Sequence, residues 1–358
     1  MTVPRLDRHF WTVIVAGLAM GLFGVLLTVW GNPENSGICV SCFMENSAGA
    51  LGLHTNPRLQ YLRPELIGFI LGAAVCALLG REFRSRGGSA PLARLAAGVF
   101  LIVGCAVFIG CPIKLFLRVT AGDLAAGAGV IGLLAGIWLG LKGLARGVDL
   151  GRSQAERGGT GWLIPAGAVV LLLFLIVPPP FVVFSERGSA AQHAPWLLSL
   201  GAGLLLGALA QRSRFCVTGS VRDTLLMGTR TPLIWGLAVF VLTAVGVNLA
   251  TGRFHLALYG QPGAHLEYLW SFLGMFLVGW LSILVGGCPF RQLVKAGEGD
   301  ADAGLVVVGM LIGGGVVQSW GIAATAAGVP LIGKAAVLIG LAFVLGATLL
   351  FRLRTAHS

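Results

Sequence analysis

Gly110-Cys111-Pro112-Ile113-Lys114 and Gly287-Cys288-Pro289-Phe290-Arg291 are two versions of one motif, set 177 positions apart. The same offset carries Ser36-Gly37-Ile38-Cys39-Val40-Ser41 onto Ser213-Arg214-Phe215-Cys216-Val217-Thr218. It also lays Arg118 on Lys295, Gly122 on Gly299, Asp123 on Asp300, Gly132 on Gly309 and Gly136 on Gly313, with no gap. A chain that repeats its cysteines and charges in register builds one central site from two halves. That is the plan of a transporter more than of an enzyme.

The surroundings of the motif are apolar. Of 358 residues, 56% are hydrophobic and 11% charged, against about 25% charged in an ordinary soluble domain. Mean hydropathy is +0.88. Such a chain cannot keep its surface wet, so an all-α polytopic membrane protein is expected, with the lipid bilayer as its solvent. The 55 glycines fit, because small residues let membrane helices approach closely, and Gly132-xxx-Gly136 and Gly309-xxx-Gly313 have the packing spacing. The net charge of +11 does not point to nucleic acid, because the positive residues sit in short loops and beside the cysteine motifs.

Apolar runs long enough to span a bilayer fall near 11–30, 62–80, 92–110, 124–144 and 161–184, then 194–211, 232–250, 268–287, 303–321 and 331–352. The expectation is ten transmembrane helices in two five-helix repeats, residues 1–184 and 185–358, forming one membrane unit. The first run follows Arg5 and Arg8 as a signal peptide would, but its repeat mate lies in mid-chain, so it is read as a retained helix. Five is odd, so the second repeat enters the membrane from the opposite side and the repeats are inverted.

Loop charge is an independent guide. Arg81, Arg84, Arg86 and Arg94 follow the second run; Lys142, Arg146, Arg152 and Arg157 the fourth; Arg212, Arg214, Arg222 and Arg230 the sixth; Arg352 and Arg354 end the chain. The intervening loops are poorer, with Arg187 alone after the fifth run and Arg253 alone after the seventh. The positive-inside rule then puts both termini in the cytoplasm. Cys39 and Cys111 would enter from outside, Cys216 and Cys288 from inside. The polar stretches 32–54 and 214–227 read as re-entrant loops leading into short helices, which membrane depth tolerates only around a wet cavity.

Proline is favoured at the first helical position, so Cys111 and Cys288 are expected as N-caps of short helices. A helix N-terminus attracts anions and sharpens a thiol. Lys114 and Arg118, with mates Arg291 and Lys295, add formal charge and are the candidate anion-attracting residues. Cys39, Cys111, Cys216 and Cys288 are the candidate substrate path. Supporting residues are Cys42, which makes a Cys-x-x-Cys with Cys39 but has Gly219 as its mate, together with Arg222, Asp223, Asp123 and Asp300. Arg222 and Asp223 are expected to be a partly structural pair, and Glu45-Asn46 holds their place in the first half. Glu65 suits the first turn of a helix. His54 is either a proton relay or merely an interfacial residue. Cys76 and Cys105 read as packing. No metal site, cofactor or catalytic residue is expected.

These residues resemble the YeeE/YedE sulfur-transport family of inner-membrane proteins. The carriers are Arg214-Phe215-Cys216-Val217-Thr218-Gly219 with Arg222-Asp223, Gly287-Cys288-Pro289 and Gly110-Cys111-Pro112. The stretch Gly31-Asn32-Pro33 through Cys39, Cys42 and Phe43, followed by Gly49 to His54, looks like the branch associated with selenium metabolism. The resemblance implies an hourglass-like helical fold with the cysteines at its thin centre. It also implies import of a sulfur anion such as thiosulfate, or a selenium compound, guided by weak S–H contacts. No GxxxxGK[ST] occurs, so transport would be passive, ion-coupled or coupled to a soluble cytoplasmic sulfur- or selenium-handling partner. The rival class is a membrane thiol-disulfide oxidoreductase using Cys39 and Cys42.

Overall fold

The computed structural model describes residues 7–151, 153–156 and 159–356, with side chains as far as 351. Arg5, Arg152 and Arg157, and the side chains of Arg352 and Arg354, named in the sequence argument, lie outside the described residues. The described chain is helical: α1 (Arg8–Val29), α2 (Val40–Ala50), α3 (Pro64–Leu79), α4 (Pro91–Phe108), α5 (Pro112–Thr120), α6 (Ala126–Leu144), α7 (Leu163–Ile176), α8 (Trp196–Ser213), α9 (Val217–Met227), α10 (Pro232–Ala250), α11 (Tyr268–Leu284), α12 (Pro289–Gly297), α13 (Ala301–Ser319) and α14 (Leu331–Ala356). Proline opens α3, α4, α5, α10 and α12, where its missing donor costs nothing.

Among the described residues, eight spans are long and apolar enough to cross a bilayer. They are α1, α4 with α5, α6, α7 with the turn before it, α10, α11 with α12, α13 and α14. The protein is an all-α polytopic membrane protein. Two of the ten expected runs fall short of a full span. Helix α3 has 16 residues, and the apolar part of α8 ends at Gln211-Arg212-Ser213. These two pack along each other so closely that a methyl added at Gly72 would sit 2.0 Å from the Leu204 carbonyl oxygen. The fifth run is also shorter as a helix than as an apolar stretch. It stops at Ile176, because Pro178, Pro179 and Pro180 follow and cannot continue it.

Helices α2 and α9 coincide at both ends under the 177-residue offset, as do α5 and α12. The strongest helix pairings are α6 with α11, α4 with α13, α3 with α8, and α1 with α10. Each joins the first half of the chain to the second, and the offset turns each pairing into another of the set. The glycine spacing read from the sequence sits at these seams. A methyl at Gly132 or Gly136 would lie 2.2 or 2.1 Å from the Phe272 or Phe276 carbonyl oxygen, and one at Gly309 would lie 2.1 Å from that of Leu95. Backbone contact of this kind is what small residues permit in a membrane.

The connecting loops gather at two ends. At one, Arg84 donates its backbone N–H to the Glu298 carbonyl at 3.1 Å, Glu156 donates to Ser85, and Glu82 pairs with Arg212 and Arg214. At the other, Ala194 donates to Asn32 Oδ1 at 2.9 Å and Arg253 pairs with Glu34 at 3.4 Å.

Candidate functional site

Each of the four motif cysteines stands at the N-terminus of a short helix. Cys111 and Cys288 are the N-caps of α5 and α12, each followed by the helix-opening proline, with no side-chain capping bond. Cys39 and Cys216 are the N-caps of α2 and α9, which the sequence argument did not resolve. Their sulfurs accept from the Cys42 and Gly219 amides, both at 3.4 Å. A helix start leaves amides unpaired and carries positive potential, so four such starts favour negative charge where the sulfurs lie.

The sulfurs fall into two groups. Cys216 Sγ lies 3.4 Å from Cys288 Sγ. Cys39 Sγ lies 2.6 Å from Cys42 Sγ, and the Cys111 thiol is close enough to interact with it. Each group carries a hydroxyl two residues on: Ser41 Oγ at 3.5 Å from Cys39 Sγ, and Thr218 Oγ1 at 3.3 Å from Cys216 Sγ. Ser41 and Thr218 are mates under the offset. They were missed as site residues, although the same register could have found them. All four paired thiols are buried in the main core.

Two cavities reach these groups. The first, about 470 Å³, is lined by Cys42, Glu45, Asn46, Arg63, Lys114 and Gln318, among others. The second, about 270 Å³, is lined by Cys216, Arg214, Arg222, Asp223, Arg291 and Lys295, among others. They lie at opposite ends of the fold. Ser189 and Gln192, which line the first, precede α8, and Arg214 and Cys216, which line the second, follow it. Eighteen helical residues separate them by roughly 27 Å.

The glycine of each Gly-Cys-Pro has a packing reason. A methyl at Gly110 would sit 2.7 Å from Lys114 Cδ, and one at Gly287 would sit 2.7 Å from Arg291 Cγ. Each basic side chain therefore folds back over its glycine. The residue before the glycine is left-handed in both copies, at Ile109 (φ 63°) and Gly286 (φ 80°). Glycine takes this conformation freely, whereas a β-branched residue there is strained by about 1–3 kcal/mol.

The four basic candidates do not share one situation. Lys114 lines the first cavity, its ammonium 3.9 Å from Cys42 Sγ. Arg291 and Lys295 line the second; Arg291 pairs with Glu298 at 3.1 Å and Lys295 with Asp300 at 3.5 Å. Arg118 lines neither. It is fully buried, paired with Asp123 at 2.7 Å, donates to the Phe108 carbonyl at 3.1 Å and stacks over the Phe108 ring. Asp300 also caps α13, accepting from the Ala303 amide, and Asp123 accepts from the Ala126 amide at the start of α6. Arg222 and Asp223 form an ion pair at 2.7 Å.

Other buried charges escaped the sequence reading. Glu298 gathers Arg86, Arg214 and Arg291. Arg63 donates to Asn46, Asn32 and the Ser189 carbonyl. Glu65 does more than suit a helix dipole, since Asn32 and Ser199 both donate to it. His54 holds the Glu45 carbonyl at 2.9 Å and accepts from the Asn56 amide, which makes it a loop anchor. Several of these partners are distant in the chain, such as Ser199 for Glu65, Ser189 for Arg63 and Arg86 for Glu298, and no local pattern announces them.

A family model described as sulphur transport matches residues 212–353. This chain is similar to the sulphur-transport family over that stretch of its second half. That match contains α9 with Cys216 and α12 with Cys288, and it agrees with the resemblance carried by the motifs. Over 123 residues, 34% of the chain, the sequence is 30% identical to the thiosulfate transporter TsuA of Escherichia coli K12. The match spans about a third of that relative's length.

Proposed function

We propose that this protein is an inner-membrane permease that imports a small sulfur- or selenium-containing anion, with thiosulfate or a selenium compound as the substrate class. One observation carries the reading: two cavities at opposite ends, each lined in part by charged side chains, each reach a group of thiols set at helix starts. Thiosulfate is what the relative's name specifies. On this reading Cys39 and Cys111 receive the anion and Cys288 and Cys216 pass it on. Lys114, Arg291 and Lys295 supply the attracting field, and Arg118 with Asp123 holds α5 in place. The amides and cations answer the charge, and the sulfurs answer a soft sulfur or selenium atom.

The paired helices support two inverted five-helix units, 1–184 and 185–358, with both termini cytoplasmic. Arg84 and Arg187 would then face opposite sides. Cysteine placed at each, in a background without reactive thiols, should label with an impermeant reagent from opposite sides; labelling from one side would sink the inversion. The direct test of function is uptake of labelled thiosulfate, sulfite, selenite and sulfate into proteoliposomes. Thiosulfate or selenite should enter and sulfate should not.

The 2.6 Å approach of Cys39 and Cys42 favours a second reading, a thiol-disulfide oxidoreductase. The two readings separate on two variants. Under transport, Cys42→Ala keeps activity and Cys111→Ala loses it; under dithiol redox chemistry, Cys42→Ala loses it.

A further inference from the structure

Glu45 is buried on α2, lines the first cavity, and makes no ion pair among the described residues. Among the described residues, its side chain accepts one hydrogen bond, from Gln318 Nε2 to Glu45 Oε2 at 2.5 Å. Gln318 is oriented by Asn56, which donates to its carbonyl oxygen at 3.0 Å. A neutral amide is therefore turned toward a carboxyl that has little water and no paired cation. Burial penalises the charged form of such a carboxyl, and the Gln318 amide and the Lys114 charge repay only part of that penalty, so it binds a proton more readily than an exposed carboxylate.

The groups around it are few. Lys114 on α5 shares the cavity, its ammonium 3.9 Å from Cys42 Sγ. Arg63 lies across the cavity but spends its guanidinium on Asn46, Asn32 and Ser189. Glu34, in the loop after α1, pairs with Arg253. His54 meets only the Glu45 backbone carbonyl. Cys39 and Cys42 precede Glu45 on its own helix, and Cys105 on α4 lies within its field. The offset puts Arg222 where Glu45 stands, so the second cavity carries a cation at the equivalent place.

We infer that Glu45 is a proton-binding site linked to anion occupancy of the first cavity, so that a dianion entering there brings a proton with it. The inference rests on the transport reading above. Its logic is reciprocal. A dianion drawn to Lys114 and the helix starts raises the negative potential at Glu45 and hence its affinity for a proton. By linkage, a proton on Glu45 tightens the anion by the same factor. The proton comes from solution and ends on a carboxylate oxygen, and no bond in the anion changes.

Thiosulfate is a dianion across the neutral range, so protons taken up on binding must go to the protein. Isothermal titration of the purified protein with thiosulfate, in two buffers of different ionisation enthalpy, counts them. Up to one proton per anion is expected. Affinity should rise as pH falls, by up to about tenfold per unit in the window where Glu45 is ionised when the cavity is empty and protonated when it is filled. Glu45→Gln should remove both proton uptake and pH slope, Glu45→Asp should keep them, and Cys42→Ala should keep the slope, which separates the carboxyl from a titrating thiol. Thiosulfate binding with no proton uptake in the native protein, or a slope that survives in Glu45→Gln, would overturn the inference and leave the transport reading standing. No thiosulfate binding at all would overturn both.

Discussion

The two cavities share a frame and differ in lining. Both are approached by thiols on helix starts, and in both a basic side chain folds back over the glycine of Gly-Cys-Pro. The first holds Lys114 and Arg63 against Glu34 and Glu45. The second holds Arg214, Arg222, Arg291 and Lys295 against Asp223, with Glu298 and Asp300 set behind the cations. The thiols, their hydroxyl neighbours and the helix starts are duplicated; the charge at the two mouths is not. The comparison separates what would touch the anion along its path from what tunes each mouth.

The largest expected effect tests the duplicated part. Cys111→Ala and Cys288→Ala should each abolish thiosulfate uptake at normal membrane levels, and Cys39→Ala and Cys216→Ala should impair it. Full activity in the Cys111→Ala, Cys288→Ala double variant would break the equivalence at its root.

Next comes a pair of mates with unlike surroundings. Arg118→Ala strands the carboxylate of Asp123 in the core and should cost about 3–5 kcal/mol, read as a fall in thermal stability in detergent. Lys295→Ala leaves Asp300 with Arg86, so its stability loss should be smaller and its effect on uptake relatively larger. Equal stability losses would show that burial does not separate the two.

Selectivity is a finer probe. Cys111→Ser or Cys288→Ser keeps a hydroxyl donor and loses the soft sulfur, so the preference for thiosulfate over sulfate should narrow in competition assays. Sulfate competing as well as thiosulfate in the native protein would make the path a general anion path.

The smallest effects belong to cysteines outside the repeat. Cys76→Ala and Cys105→Ala should leave uptake nearly unchanged. Cys105 is fully buried, so its replacement should cost on the order of 1 kcal/mol of stability. A large loss of uptake in Cys105→Ala would extend the path beyond the duplicated thiols.

Much of the frame was legible because its signals are local. Hydropathy runs marked the helices, and proline after cysteine marked the starts of α5 and α12. The constant offset tied α2 to α9 and α5 to α12, since it preserves local periodicity and capping in both copies. Where a local signal conflicted with the apolar run, the structure differs from the run. Three prolines end α7 early, and Gln211-Arg212-Ser213 shorten the apolar part of α8.

Tertiary structure decided which charges are free. Lys114 and Arg118 look alike in sequence, one turn apart on the same short helix. One faces a cavity, while the other is closed in by Asp123, the Phe108 carbonyl and the Phe108 ring. Likewise nothing local marks Glu45 as a carboxyl without an ion pair among the described residues, or Glu298 as one with three. The sequence by itself determined where helices begin and which residues are mates, because capping and periodicity act within a few residues. The partners of a buried charge can be near in the chain, as Asp123 is to Arg118, or far, as Ser189 is from Arg63, and which groups close over it depends on how the helices pack, so only the packed fold determines whether that charge is spent or available.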